Sequence, residues 1–516
     1  MDKITYYTAM PLERESLLEE CAELYSNHYG KWGEEDPLHG NNIKLPKQKL
    51  YKWLPNEQTG IYTARHGEKL VGYAIALRCN MANHGIVSWV TQFVVHTDYR
   101  HQGIGSNLLR HIWGMSNDYA WGIVTSNPYA VRALEKATRR ISDPKIICTE
   151  NRFNKLLNFG QQYIGNYITK PIETQCDKTT SQINTKFNVD HSTIPKSIES
   201  LKNNGVKWKM GELKEAWEWF AFTFRRQEVF NLSQQEIDEI LENTDRYTKE
   251  AYKRMLGGNG GSDKGKTYTK HTEKEVEFII SECELNSNSL VYDFGCGNGR
   301  HSNLLASKKY NVYGIDYIQE NVSLAKSQPR QDYSNYANFD VGDCRDYKFD
   351  KQADAIICLY DVIGSFTNEN ENKKIITNIY NSLKTGGTAL ISVMNKELNF
   401  KAVQKFSFND DPNKIFDLKA SKNMGKTGEV FNPIYMLYDT NKDVFYRKEQ
   451  FLMGTELPVE LIVCDRRYTK ETISSLCKEA GFEVEFSRYV HAGDWNTDLN
   501  SFDPHSKEIL VKCIKR

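Results

Sequence analysis

Two glycine-rich turns carry the chemistry legible in this chain. The first is Arg100-His101-Gln102-Gly103-Ile104-Gly105, between an apolar run ending at Val95 and a helical pattern from Gly105. Glycines at 103 and 105 permit positive φ and a close backbone approach to a ligand. The helix behind them offers unpaired N–H groups and the positive end of its dipole, which suits a diphosphate. An ordinary strand–turn–helix would use the same glycines, so the hexapeptide alone leaves both readings open. The second turn is Asp293-Phe294-Gly295-Cys296-Gly297-Asn298-Gly299, directly after Leu290-Val291-Tyr292. Its last spacing is shorter than in G-x-G-x-x-G, so a dinucleotide fits it less well. The next strand pattern ends in Asp316, 23 residues after Asp293, where a carboxylate can accept from both hydroxyls of a ribose. The third leads into Gly342-Asp343, an acid able to accept from an adenine amino group. These acids fall at the carboxyl ends of adjacent strand patterns, where open α/β sheets bind ligands.

Positioning these turns requires two different scaffolds. In the first part, Leu12–Tyr25 has helical apolar spacing, and Gly60–Arg65 with Lys69–Cys79 reads as a hairpin around His66-Gly67-Glu68. Ile86–Val95 is a long strand pattern, followed by helix Gly105–Met115, strand Trp121–Thr125 and helix Tyr129–Lys136. That is an α+β order. In the second part, strand patterns Leu290–Phe294, Val312–Ile315, Ala337–Val341, Ala353–Tyr360 and Thr388–Val393 alternate with helical ones. Such alternation predicts a parallel sheet covered on both faces. Two polar stretches, Thr169–Pro195 and Gly257–Lys270, read as loops. Between them the aromatic-rich residues 208–230 must pack on something, and the N-terminal domain is the candidate. The predicted division is residues 1–240 (core about 1–165, polar loop 169–195, aromatic helical extension 196–240) and 241–516, with the boundary near Asn231–Thr248.

Composition narrows the classes. The 516 residues carry 67 Lys plus Arg and 67 Asp plus Glu, for a formal net charge of zero. That disfavours a broad basic surface for nucleic acid or anionic lipid. With 39% hydrophobic residues the chain can bury a sizeable core. No apolar run approaches 18 residues, which argues against a helical membrane span. The acidic N-terminus has no apolar signal region. The 11 cysteines are scattered and never spaced C-x-x-C, so neither a disulfide framework nor a metal site is expected, and a cytoplasmic location fits.

The first turn resembles the GNAT N-acetyltransferase family. Arg100-x-x-Gly103-x-Gly105 matches its R/Q-x-x-G-x-G/A motif, and Asn127-Pro128-Tyr129-Ala130 resembles its N-x-x-A motif after the next strand. The resemblance implies acetyl-CoA, with the backbone of Phe93 and Val95 holding the acetyl arm. Arg100, Gln102, Gly103, Ile104, Gly105 and Ser106 would cradle the pyrophosphate, and Asn127 would contact the pantetheine. Many members carry a tyrosine seven residues after that asparagine as general acid. Here the residue is Leu134. Tyr129 is the substitute carried forward as a catalytic candidate, with Tyr99 or water as alternatives. His84, His96, Glu34 and Glu35 are candidate bases, each with a plain surface or packing role as the competing reading. The acceptor region implied is Tyr25–Trp53, including Trp32 and Trp53.

The second part resembles the class I S-adenosylmethionine (SAM)-dependent methyltransferases, a Rossmann-like seven-stranded fold. Asp293, Gly295, Gly297 and Gly299 match the family's D/E-x-G-x-G-x-G; Asp316 matches its ribose acid and Asp343 the acid beside adenine. Leu359-Tyr360-Asp361-Val362-Ile363-Gly364 lacks both the [D/N]-P-P-[Y/F/W] of nucleobase amino-methylation and the Pro-Cys of 5-methylcytosine enzymes. The tail, with helix Lys470–Ala480, looks like the small-molecule branch, and strands Ile434–Thr440 and Val444–Met453 would roof its substrate site. Asp361 is the catalytic candidate, with a helix N-cap as its competing reading. Tyr247 and Tyr252 are lid candidates. Arg466 and Arg467 would either recognise a substrate carboxylate or pair with Asp465 or Glu471. Gly260–Thr267 formally fits a Walker A loop, but a helical pattern rather than a strand precedes it, and the reading is rejected.

The combined expectation is a bifunctional transferase. It would use acetyl-CoA on an amine and SAM on a small-molecule acceptor, without membrane or nucleic acid. The competing expectation is a methyltransferase whose GNAT-like half only binds substrate or an acyl-CoA.

Overall fold

The computed structural model describes residues 4–9, 14–54, 58–164, 176–241, 270–328, 332–421, 429–452 and 457–516. Tyr247, Tyr252, the Walker-like stretch and most of the Gly257–Lys270 loop lie outside them. The chain divides into two compact units, Met1–Ile240 with Thr455–Glu460, and Leu241–Gly454 with Leu461–Arg516.

The first unit runs β1 (Ile4–Thr8), α1 (Arg14–His28), α2 (Lys47–Leu50), β2 (Thr59–His66), β3 (Lys69–Met81), β4 (Gly85–Val95), α3 (Ile104–Trp113), β5 (Ala120–Thr125), α4 (Pro128–Thr138), α5 (Pro144–Ile147), α6 (Arg152–Ile164), β6 (Cys176–Asp177), β7 (Gln182–Ile183), α7 (Ile194–Asn203), β8 (Glu218–Phe224) and α8 (Gln234–Leu241). Its sheet has the order β1-β2-β3-β4-β5-β8-β7-β6. The hairpin turn falls at Gly67-Glu68 as the alternation predicts. The aromatic stretch differs from expectation. Instead of a helical extension over 196–240, Glu-Trp-Phe-Ala-Phe-Thr-Phe forms β8, antiparallel to β5 in the middle of the sheet. Aromatic and β-branched side chains buried on both faces favour a central strand over a helix with only one apolar stripe. Every residue of β8 is buried. Helices flank it only at α7 and α8.

The second unit runs α9 (Thr272–Glu282), β9 (Leu290–Phe294), α10 (Arg300–Ser307), β10 (Asn311–Asp316), α11 (Gln319–Ser327), β11 (Ala337–Val341), β12 (Ala353–Cys358), α12 (Glu369–Ser382), β13 (Leu383–Met394), β14 (Gln404–Phe406), β15 (Ala420–Ser421), β16 (Met436–Asp439), β17 (Val444–Leu452), β18 (Pro458–Asp465), α13 (Lys470–Glu479), β19 (Glu483–Val490) and β20 (Glu508–Ile514). The main sheet has the order β11-β10-β9-β12-β13-β20-β19. Its first five strands are parallel, and β20 enters antiparallel between β13 and β19. The chain reverses direction in strand order beside β9, so the β9 turn lies at a topological switch point. Strands β14 to β18 form a separate small sheet. All 11 cysteines are free thiols, and most are buried. Among the described residues no helix is long and apolar enough to cross a membrane.

Candidate functional sites

In the first unit the site is built by a strand that outruns its neighbour. Strand β4 pairs in parallel with β5 only from Val87↔Ala120 to Val90↔Ile123. Beyond that, β5 continues against β8, while Thr91–Val95 has no strand partner on its β5 side among the described residues. A β-bulge sits where they part: Ile75 faces Gln92 and Ala76 faces Val90, leaving Thr91 extra. Backbone groups of Phe93 and Val95 thus border an open wedge in the sheet, which suits an extended ligand arm.

The turn follows at the end of this strand. Gly103 has φ +77° and precedes α3, while His101 also has positive φ, at 63°. A side chain at Gly103 would meet Glu239 of α8, whose Oε2 lies 2.5 Å from the Cβ position. Gly105 packs against the Phe93 ring, 3.1 Å from where its Cβ would stand. Ile104 and Ser106 are buried. Arg100 is turned inward, donating to the Val95 carbonyl at 3.2 Å and to the His28 carbonyl. Gln102 is exposed and donates to the Asp98 carbonyl at 3.1 Å. Asn127 caps α4, its Oδ1 accepting from the Tyr129 N–H at 2.9 Å. Tyr129 packs edge-on against His101 of the turn. Leu134 is fully buried.

The four candidate bases lie in different places. His96 is buried under the His28 ring at 3.8 Å, and its pKa is lowered by burial and then by Lys69. His84, just before β4, packs at a tilt against Tyr119 with ring centroids 5.0 Å apart, and Glu34 and Glu35 are exposed. Tyr99 hydrogen-bonds His66 at 3.0 Å.

In the second unit the turn after β9 takes left-handed conformations at Gly295, Gly297 and Gly299. Gly297 is the informative one: with φ +56°, a side chain there would meet nothing within 4 Å. The glycine serves backbone geometry and leaves open space above it, as a cradle requires. Asp293 is buried and accepts from Ser302 Oγ at 2.5 Å. Burial raises its pKa to about 6, although Ser302 and Arg300 pull it down. Asp316, at the end of β10, ties the turn together. Its Oδ2 accepts from Gly297 N–H at 3.0 Å, and its Oδ1 from Ile318 N–H at 2.9 Å and Asn321 at 3.2 Å. Burial again raises its pKa. A carboxylate has about four acceptor positions, so one on Oδ2 still suits a hydroxyl. Asp343 forms a two-pronged pair with Arg345, which lies over the Phe366 ring at 4.6 Å.

The residues after β12 are the least ordinary backbone in the unit. Tyr360 and Asp361 have φ of 59° and 68°, consecutive left-handed residues with side chains. Such strain costs of order 1–3 kcal/mol each and persists only where surroundings enforce it. The predicted strand therefore stops at Cys358, and Asp361 caps no helix; Asn368 is the N-cap of α12. The enforcement is visible. Tyr360 N–H donates to Ser392 Oγ at 2.7 Å, and the Asp361 carbonyl accepts from Ser365 at 2.7 Å. The Tyr360 hydroxyl donates to Glu275, which also accepts from Arg300 at 2.8 Å and contacts His301 Nε2 at 2.8 Å. Burial pushes the Glu275 carboxyl up, but His301, Arg300 and Tyr360 outweigh it and hold it at about 2. Glu508, the first residue of β20, is raised by burial and by the nearby charge of Asp361.

Glu275, Arg300, His301 and Glu508 were not identified from the sequence. Arg300 and His301 stand directly after the glycine turn, but Glu275 and Glu508 lie 86 and 147 residues from Asp361, and no local pattern marks them. Arg467 is buried and pairs with Asp465 at 2.8 Å, while Arg466 reaches Glu369 at 3.3 Å and two backbone carbonyls.

Comparison with known proteins finds one family model in each unit. Residues 19–137 match the Acetyltransferase (GNAT) family model, and residues 291–387 match a methyltransferase domain model. Curated relatives include the ubiquinone biosynthesis O-methyltransferases of Rickettsia felis, 29% identical over 125 residues, and Rickettsia typhi, 31% identical over 127 residues. Each match covers 23% of this chain and 49% of the relative, so the chain spans about half the length of the curated relatives it matches. Similar solved structures include a SAM-dependent methyltransferase from Clostridium acetobutylicum, with 16% identity, 48% of this chain and 91% of that one covered, and a TM-score of 0.34. The CcbJ methyltransferase of Streptomyces caelestis gives 12% identity, 52% and 99% coverage, and a TM-score of 0.38. The chain thus carries one stretch that matches the GNAT acetyltransferase model and one, on a Rossmann-like sheet, that matches a methyltransferase domain model.

Proposed function

We propose that the protein is a bifunctional transferase. Its first unit moves an acetyl group from acetyl-CoA to an amine, and its second moves a methyl group from SAM to a small molecule. The observation that carries this reading is shared by both units: an apolar strand of a partly parallel sheet ends in a left-handed glycine turn at a helix N-terminus, Gly103 before α3 and Gly299 before α10. When bound, acetyl-CoA supplies a thioester and SAM an electrophilic methyl. In the first unit, the Phe93–Val95 backbone would hold the acyl arm and residues Gln102–Ser106 the diphosphate. In the second, the open space over Gly297 would take the cofactor's amino-acid end. Asp316 would hold the ribose, and Asp343 would face the adenine. Methyl transfer is an in-line displacement governed by positioning. Asp361, on strained backbone held by the Glu275–Tyr360 contact, would orient the nucleophile or accept its proton.

A second reading has specific support. Leu134 stands buried where many relatives of the fold carry a tyrosine acid, and the Glu239 carboxylate lies over Gly103, where a diphosphate would bring like charge. On that reading the first unit is a binding module. Calorimetry of the full chain separates the two. Bifunctional transfer requires that acetyl-CoA binds, that Gly103→Glu abolishes binding, and that thiol release depends on an added amine. Binding without transfer to any of a broad amine panel selects the module; no binding removes the acyl-CoA assignment. SAM should bind, and Asp316→Ala should weaken it by ~100-fold, about the worth of a charge-assisted pair of hydrogen bonds. Unchanged affinity refutes the ribose assignment.

A further inference from the structure

The face of the first sheet that carries α1 holds buried polar groups that the reading above does not use. Tyr73 and Ile75 of β3 pack beneath α1, and Gln92 faces Ile75 across the strand pair. Tyr73 faces Val94, so Gln92 is its diagonal neighbour on the same face. The bulge at Thr91 keeps Trp89 on this face too, since Trp89 pairs with Leu77. Trp89 packs edge-on against Phe220 and Phe222 of β8. Glu218 lies two residues before Phe220 and shares its face. From above, α1 contributes Tyr25 and Tyr29, whose rings stack at 4.2 Å. Burial and then the Glu218 charge raise the Tyr25 phenol, so this carboxyl lies within electrostatic reach of the ring pair.

These groups lack one kind of partner. Glu218 is 7% exposed, Gln92 9% and Tyr73 fully buried. Gln92 Oε1 and the Tyr73 hydroxyl have no hydrogen-bond partner among the described residues, and no cation there pairs with Glu218. Buried polar groups in native proteins are satisfied, so an unsatisfied cluster points to an absent partner. Gln92 Oε1 and a carboxylate are acceptors only, so the missing partner is a donor, and a positive one, because an uncompensated buried carboxylate is costly. A primary ammonium has three N–H donors and one charge, the donor count and sign that these acceptors lack. Gln92 also belongs to the unpartnered end of β4, beside Phe93.

We propose that this face is the acceptor site of the first unit, that it binds a compact primary ammonium, and that Glu218 takes the proton while Gln92 aims the nitrogen. The proposal rests on the acyl-transfer reading and names its substrate class. In the step, R–NH3+ gives one proton to the Glu218 carboxylate and becomes R–NH2. The nitrogen lone pair forms the C–N bond as the thioester C–S bond breaks. The sulfur leaves with that electron pair and takes the second nitrogen proton, and Glu218 later releases its proton to water. Burial raises the Glu218 pKa, partly offset by the Thr185 hydroxyl, so the group is a better base than an exposed carboxylate. The groups that interact with it, Tyr25 and Tyr29 from α1 and Thr185 after β7, are uncharged at neutral pH.

The full-length protein is titrated calorimetrically with butylamine and phenethylamine, and with the corresponding alcohols, at saturating CoA. An amine should bind, and its alcohol should bind at least ~10-fold more weakly, because a site built for donors rejects a ligand lacking them. Glu218→Gln, nearly isosteric, should lose ~10-fold or more of amine affinity, and Gln92→Leu should do the same, while both keep the wild-type Kd for CoA. With acetyl-CoA present, Glu218→Gln should lower amine-dependent thiol release ~100-fold near neutrality, and the deficit should shrink at alkaline pH as the amine loses its proton unaided. The proposal is overturned if neither amine binds the wild type, if the alcohols bind as tightly, or if Glu218→Gln keeps both amine affinity and pH profile. If CoA itself does not bind, the acyl-CoA reading fails, and the amine titration still decides the site.

Discussion

Replacing Glu275 by glutamine tests the idea that a buried carboxylate holds the strained turn after β12. Glu275 accepts from Arg300 and Tyr360 and contacts His301, all at 2.8 Å or less. Its carboxyl is held at about 2 against an ordinary 4.5. At 1.36 kcal/mol per pKa unit, the shift corresponds to about 3 kcal/mol of folding free energy. The sign follows from the depressed folded value. The contribution is complete above about pH 4.5 and is lost as pH falls through about 2. Breaking a buried pair from one side costs a similar 3–5 kcal/mol or so, because Arg300 remains buried without its counter-charge. Glu275→Gln should therefore lower the Tm of the second unit by roughly 6–12 °C at neutral pH. The gap to wild type should close as the pH is lowered from about 4.5 toward 2, where wild-type Glu275 becomes protonated as well. Thermal unfolding of the full chain by circular dichroism and calorimetry across that range reads both effects. Equal Tm values at neutral pH, or a gap that does not narrow in acid, would refute the reasoning.

Other expectations follow from the same geometry. Glu239→Gln removes the like charge over Gly103 and should tighten CoA binding by ~3–10-fold at low salt, with the gain fading as ionic strength rises; weaker binding would mean that Glu239 supports the turn. Asp293 is raised to about 6, so its ionised form costs the ligand-free fold about 3 kcal/mol above that pH, a stability present below about pH 3.8 and lost as pH rises through 6. Asp293→Asn should therefore flatten the pH dependence of ligand-free stability between those values while weakening SAM, measured by unfolding scans and calorimetry on one preparation. A Leu134→Tyr variant that folds and gains no amine-dependent thiol release would show that the missing hydroxyl does not limit acyl transfer.

Much of the scaffold is legible in the sequence because its signals are local. Strands β9 and β11 fall where alternation and apolar runs put them, and the hairpin turns at Gly67. The glycine turns are likewise local, since three positive-φ positions at 295, 297 and 299 need the residue type that tolerates them. What escaped is non-local. Strand β8 looks like an amphipathic helical extension until its partner β5, nearly a hundred residues earlier, buries its second face. Glu218 opens that strand as an isolated acid in an aromatic run, and only the fold brings its charge within reach of Tyr25 and Tyr29. Glu239 has the spacing of an ordinary surface helix, and nothing in its neighbours announces Gly103.

The two units show opposite ways of treating buried carboxylates, and the contrast bears on function. Around Tyr360, Glu275 is saturated by Arg300, His301 and the phenol, and its depressed pKa shows that the fold gains from its charge. Such a group holds geometry and has no capacity left for a proton in turnover. Glu218 has no cation among the described residues, and its raised pKa shows that the fold gains nothing from its charge. Evolution of a stable core alone would favour a leucine or glutamine there, since burying an uncompensated acid costs several kcal/mol in general. An acid whose charge weakens the fold, on the same sheet face as the unsatisfied Gln92 and Tyr73, is the pattern expected of a group whose partner arrives with the substrate. In the second unit Glu508 is likewise raised, by burial and then by the neighbouring charge of Asp361.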